Sequence, residues 1–130
     1  MVGLIWFVQI VHYPLMRNVS AEGFSRYALS HQQRTTWIVG PVMLIETSSA
    51  VMLAWLSRND STNNRLAWIG LALLAVVWLS TFALQVPMHA RLATRFDETH
   101  WRRLVWTNWI RTICWTLRAG LSLAMLRIQH

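Results

Sequence analysis

Apolar residues fall into four long blocks separated by short polar segments: Val2 to Met16, Thr35 to Leu56, Leu66 to Val86, and Leu104 to Leu126. A helix needs about 20 residues to cross a hydrocarbon core of about 30 Å, and the last three blocks meet that length. The first, at 1.5 Å per residue, covers only about 22 Å. Two explanations stand open: the natural start lies upstream of Met1, or this helix sits at a thinned, shielded edge of a bundle. A secretory signal does not fit, because no basic segment precedes the block and Gln9, His12 and Tyr13 interrupt it. The pattern predicts an all-α, four-helix transmembrane bundle in one integral membrane domain spanning residues 1–130, with helices over about 2–16, 35–56, 66–86 and 104–126.

The connections differ in character. Ser57 to Arg65 is a plain polar turn. Between Asn18 and Arg34, Asn18 or Ser20 can cap a helix, and Phe24, Tyr27, Ala28 and His31 then recur at helical spacing. This predicts a short amphipathic helix over about 20–32, lying at the membrane surface between helices one and two. Met88 to Arg103 is a second polar connection.

Composition agrees with a lipid solvent: 55% of residues are hydrophobic, 13% are charged and nine are Trp. A soluble domain carries about twice that charge. The net charge of +7 comes from twelve Arg and no Lys, against five acids. Those Arg flank apolar blocks as topology signals do, so nucleic acid is not an expected partner. Side A, the face with the two longer connections, carries Arg17, Arg26, Arg34, Arg91, Arg95, Arg102 and Arg103. Side B carries Arg58, Arg65 and Arg127. Seven against three places side A in the cytoplasm and both termini outside. Trp6, Trp37, Trp55, Trp68, Trp101 and Trp106 fall near block ends, as an interfacial belt requires, whereas Trp78, Trp109 and Trp115 lie deeper. One cysteine, Cys114, rules out an internal disulfide and suits inert core.

Candidate chemistry comes from polar groups inside the apolar blocks, each costly at membrane depth unless paired or wet. Helix one carries Gln9 and His12 before Pro14. Helix three carries Thr81, Gln85 and His89 around Pro87. Both helices run from side B to side A, so the two Gln should share one depth and the two His another. Glu46 lies eleven residues past Thr35, about 16 Å in by helical rise. Asn108, Arg111, Trp115 and Arg118 form one stripe on helix four. Glu46 is either a buried ion-pair partner of Arg111 or Arg118, fixing helix register, or a functional carboxylate that accepts protons or binds metal. His12 and His89 either hydrogen-bond to backbone freed by the prolines, or join Glu46 and His31 around a single transition metal (Fe, Zn, Mn or Cu). No two of these ligands share an i, i+3 or i, i+4 spacing. Haem fits less well, because the His lie near helix ends. Tyr27 and His31, four apart on the surface helix, either form part of its apolar face or roof the site from side A.

The order Pro41-Val-Met-Leu-Ile-Glu46, then Gln85-Val-Pro-Met-His89-Ala-Arg-Leu92, then Thr107-Asn108-Trp109-Ile110-Arg111-Thr112 resembles small four-helix bacterial membrane proteins of unassigned function. More distantly it is similar to the anthrone-oxygenase-like family, whose third helix ends in a Val-Pro-x-x-x-x-Leu pattern; His89 stands where that family tends to have Asn. The resemblance implies a compact bundle in a bacterial plasma membrane and oxidation of a lipophilic aromatic or quinone-like molecule.

The residues themselves point to a buried site opening on side A. Glu46 or a His would move protons, Arg111 and Asn108 would hold an oxyanion or carbonyl, and Gln9 and Gln85 would contact a cofactor. Oxidoreductase-like or metal-assisted chemistry on a lipophilic small molecule follows from that set. The alternative is a non-catalytic accessory or assembly subunit, docking through its Trp-rich surface onto a membrane-protein partner or a second copy of itself.

Overall fold

A computed structural model describes residues 1–128. Among them the chain is all helix, with no strand. Four helices run α1 (Val2–Met16), α2 (Ala21–Leu56), α3 (Ser61–Thr94) and α4 (Glu98–Ile128). One 3-10 turn, Ser57–Asn59, joins α2 to α3. Two starts are capped by aspartate. The Asp60 carboxylate accepts from the backbone amides of Thr62 and Asn63 at 3.0 and 3.2 Å, and Asp97 accepts from His100 N at 2.8 Å. These amides favour the ionised acid, so both carboxyls sit below the usual carboxylate range, with the backbone bond from Asn63 or His100 as the largest cause.

Two predicted boundaries are corrected. Residues 20–32 do not form a separate surface helix; they are the opening turns of α2, which runs 36 residues without a break. The Gln32-Gln33-Arg34-Thr35-Thr36 stretch contains no Gly or Pro to end a helix. Thr36 Oγ1 even donates back to the Gln32 carbonyl at 2.8 Å, one turn earlier in the same helix. The amphipathic pattern was real, since Phe24 and Ala28 are buried, but that face packs on protein rather than lying on lipid. Likewise the Met88 to Arg103 connection shrinks to Arg95–Asp97, because α3 passes through Pro87 to Thr94 and α4 begins at Glu98.

The core forms three layers along the bundle. At the side A end, Tyr13, Met16, Phe24, Ala28, Leu92 and Leu104 pack together. A middle layer gathers Ile5, Met43, Ala50, Leu74, Val77, Cys114 and Trp115. At the far end Ala54, Ala67 and Met125 close α2, α3 and α4 alone, small residues letting the backbones approach. Outward, the surface is apolar: Trp37 is 81% exposed and Trp106 73%. The two segments Ala21–Asn59 and Ser61–Thr94 are long and apolar enough to cross a membrane.

Two widened π turns shape the interior, Val8–His12 in α1 and Thr81–Gln85 in α3. Each precedes a proline. Pro14 and Pro87 cannot donate to the carbonyls of Ile10 and Ala83, four residues back, and their rings crowd those oxygens. A wider turn relieves the crowding, and such turns re-aim the side chains they carry. Here both carry a glutamine, and both Gln9 and Gln85 are buried.

The continuity of α2 has a direct check. Gln33→Pro frees the Leu29 carbonyl in mid-helix and should lower stability by about 3 kcal/mol, read from thermal unfolding in detergent. Two helices meeting near residue 33 would instead tolerate the change within roughly 0.5 kcal/mol.

Candidate functional site

The two π turns aim Gln9 and Gln85 at adjacent residues of α4. Asn108 Nδ2 donates to Gln9 Oε1 at 2.8 Å, and Gln85 Nε2 donates to Thr107 Oγ1 at 2.9 Å. The expectation that both glutamines lie at one depth therefore holds. Gln9 Nε2 also donates to the Val105 carbonyl at 3.2 Å, so its amide is used at both ends. Asn108 is fully buried, and its Oδ1 accepts from Arg111 Nη1 at 3.2 Å.

Arg111 is the anomaly. It is 7% exposed, and among the described residues no carboxylate pairs with it. Its Nε is buried without a hydrogen-bond partner. The guanidinium carbon lies 5.0 Å from the Trp115 ring centroid, a cation–π contact. Removing a charge from water costs several kcal/mol, and one neutral amide and a ring face offset only part of that.

Arg111 borders a cavity of about 840 Å³ between α1, α2 and α3. Its walls are mostly apolar, with Ile5, Val39, Met43, Trp78, Phe82 and Val86 prominent. Its polar groups include Tyr13, His31, Gln85, His89 and Arg111, together with glutamines and threonines of the 32–36 stretch and Thr81. This size and lining match small-molecule sites, in which a few polar groups orient a largely apolar ligand. The Tyr13 hydroxyl donates to Gln85 Oε1 at 3.4 Å and lies 3.1 Å from His89 Nε2. Both contacts are satisfied together when His89 carries its proton on Nε2. Trp101 Nε1 pins this turn by donating to the Tyr13 carbonyl at 2.9 Å.

His12, His31 and His89, named from the sequence as metal ligands, do come together. The His12 and His31 rings stack at 4.1 Å and 23°, and His31 lies 5.8 Å from His89 at 39°. The metal set built on them is not borne out. Imidazole binds a metal through a lone pair in the ring plane, and stacked rings direct those lone pairs side by side rather than onto one point. Among the described residues no three His, Cys, Asp or Glu side chains group as a metal requires. Instead Tyr27 OH lies 3.5 Å from His12 Nε2, and Thr35 Oγ1 lies 3.2 Å from His31 Nδ1.

Glu46 is a second correction. It forms no ion pair with Arg111 or Arg118. Its Oε2 accepts from Trp115 Nε1 at 2.7 Å, and its Oε1 lies 3.8 Å from the Met1 amino nitrogen. The Trp115 indole, one turn beyond Arg111, takes the carboxylate on its edge and the guanidinium on its face. Arg118 turns away and donates to the Gly70 carbonyl at 3.1 Å. Glu46 does not line the cavity.

Two members of the site were missed from sequence, Tyr13 and Thr107. Tyr13 follows Gln9 by four and so shares its helix face, a signal available but overshadowed by His12. Thr107 was hidden as an ordinary helix threonine beside Asn108. No family model, curated protein or solved structure matches this chain.

The network makes a stability prediction. Asn108→Leu strands Gln9 Oε1 and removes the one bond to Arg111, and should cost roughly 3 kcal/mol in detergent unfolding. Pairing it with Gln9→Leu should cost less than the sum of the single changes, because one stranded acceptor is gone. Additive losses would mean that the two side chains are not coupled.

Proposed function

We propose that the chain is a small integral membrane protein, a four-helix transmembrane bundle, that binds a lipophilic molecule bearing an oxyanion or carbonyl oxygen. The observation that carries this reading is the buried Arg111 guanidinium, without a carboxylate and with an unpartnered Nε, at the edge of a large apolar cavity. A ligand oxygen there would supply what the protein does not, and the apolar walls would take the rest of the molecule. The apolar exterior and the two membrane-length helices support a bilayer as the solvent. Seven arginines on side A against three on side B support a cytoplasmic side A and outer termini. A bacterial plasma membrane is what the resemblance to small bacterial membrane proteins implies.

The chemistry this set supports is proton transfer at the ligand oxygen. Arg111, held by Asn108 and through it by Gln9, would stabilise negative charge on that oxygen. Tyr13 and His89, already sharing a hydrogen bond, would give or take the proton. Gln85 fixes the Tyr13 hydroxyl. Glu46 has no part in this step. Oxidation of an aromatic or quinone-like ligand, as the distant family resemblance implies, would need an electron acceptor such as dioxygen in addition to these residues, which supply only the proton transfer.

The test uses a fluorescent lipophilic acid, dansylundecanoic acid, with protein in phosphatidylcholine nanodiscs and empty discs as the blank. Saturable binding is expected, weakened about tenfold or more in Arg111→Met, the size of losing a hydrogen bond to a charged group. Arg111→Lys, which keeps the charge, should lose less. Equal binding by wild type and Arg111→Met would overturn the proposal.

A further inference from the structure

A second cavity, of about 520 Å³, opens beside the first at the start of α2. It is lined by Arg26, Tyr27, Ser30, His31 and Arg34 of α2, with His12 of α1; Gly23 leaves its rim without a side chain. Arg26, Ser30 and Arg34 are spaced by four, so they form one stripe along the helix, two turns and about 12 Å from end to end. No acid lines this cavity. Among the described residues neither arginine has a carboxylate partner, and Glu22, one turn before Arg26, makes no ion pair with it. Elsewhere on side A, Arg17 and Arg102 lie 3.5 and 3.6 Å from Glu98 and Arg91 contacts His100, while Arg95 and Arg103 are exposed without an ion pair among the described residues. What sets Arg26 and Arg34 apart from Arg95 and Arg103 is that they line one cavity together with a serine, a tyrosine and two histidines.

We infer that this cavity is a binding site for a phosphate group, separate from the Arg111 cavity. Arg26 and Arg34 flank Ser30 on this stripe, and Tyr27, His12 and His31 complete the polar lining. A carboxylate presents two oxygens to such a set; a phosphate monoester presents three and carries more charge. Arg forks match phosphate oxygens in pairs. The cavity lies where the first turns of α2 meet the side A end of α1, which in a bilayer is headgroup level, so the phosphate can belong to a lipid or to a soluble ester. The site stands on its own lining and does not depend on what fills the first cavity, although His31 walls both.

Native mass spectrometry of the whole protein tests this, with phosphatidic acid, phosphatidylcholine and inorganic phosphate as probes. Phosphatidic acid should be retained over phosphatidylcholine, and Arg26→Gln with Arg34→Gln should cut that retention about tenfold or more, as expected for two lost charged contacts. Arg95→Gln with Arg103→Gln, two exposed side A arginines outside the cavity, should leave it unchanged. Retention that millimolar inorganic phosphate displaces would assign the site to a soluble phosphate ester; retention that resists it would assign a lipid headgroup. Equal retention by wild type and the Arg26/Arg34 variant, or equal loss in both double variants, would overturn the site, since diffuse basic charge would then explain the binding. Failure here would leave the Arg111 cavity untouched, because dansylundecanoic acid binding reads that one separately.

Discussion

A guanidinium buried among helices without a counter-ion is the constraint around which the interior is arranged. Arg111 keeps one neutral oxygen, from Asn108, and one ring face, from Trp115. Asn108 can hold that oxygen toward Arg111 because its own amide is fixed by Gln9, and Gln9 is fixed in turn by the Val105 carbonyl. The orientation of one cation on α4 thus depends on α1. Trp115 faces two ways, its ring to Arg111 and its N–H to Glu46, so the carboxylate and the guanidinium meet different parts of one indole. A protein that sought stability alone would let the two ions meet. Their separation leaves a positive site available to something else.

Proline sets the geometry that makes this possible. A widened turn stands just before each of Pro14 and Pro87, and each turn delivers a glutamine to α4, at Asn108 and Thr107. The same local device, used on α1 and α3, gives the cavity its polar end. The remaining walls, from Trp78, Phe82 and the middle of α2, need only be apolar and spaced apart.

Much of the fold was legible because helix periodicity and block length are local properties. The first helix was bounded correctly at 2–16, and the end of the second at Leu56. What failed was the inference that polarity ends a helix. Gln32 to Thr36 and Met88 to Thr94 are polar, yet nothing in them breaks backbone hydrogen bonding, so α2 and α3 run on. Of the site, Gln9, Gln85, Asn108, Arg111 and the trio His12, His31 and His89 were named from sequence, and the structure brings them into adjoining networks. Glu46 was misplaced because pairing by depth ignores side-chain bulk: Trp115 lies between it and Arg111. For the three histidines, closeness can be anticipated from a sequence pattern but ring direction cannot, and here His12 and His31 stack.

Whether Arg111 holds a ligand oxygen is read most directly from the small-molecule content of the protein purified gently from its membrane. Extracts of wild type and Arg111→Met would be compared by mass spectrometry. An acidic or carbonyl-bearing lipophile retained near one per chain by wild type and depleted in the variant is the predicted result. Identical extracts from two equally folded proteins would mean that the buried charge serves the bundle alone.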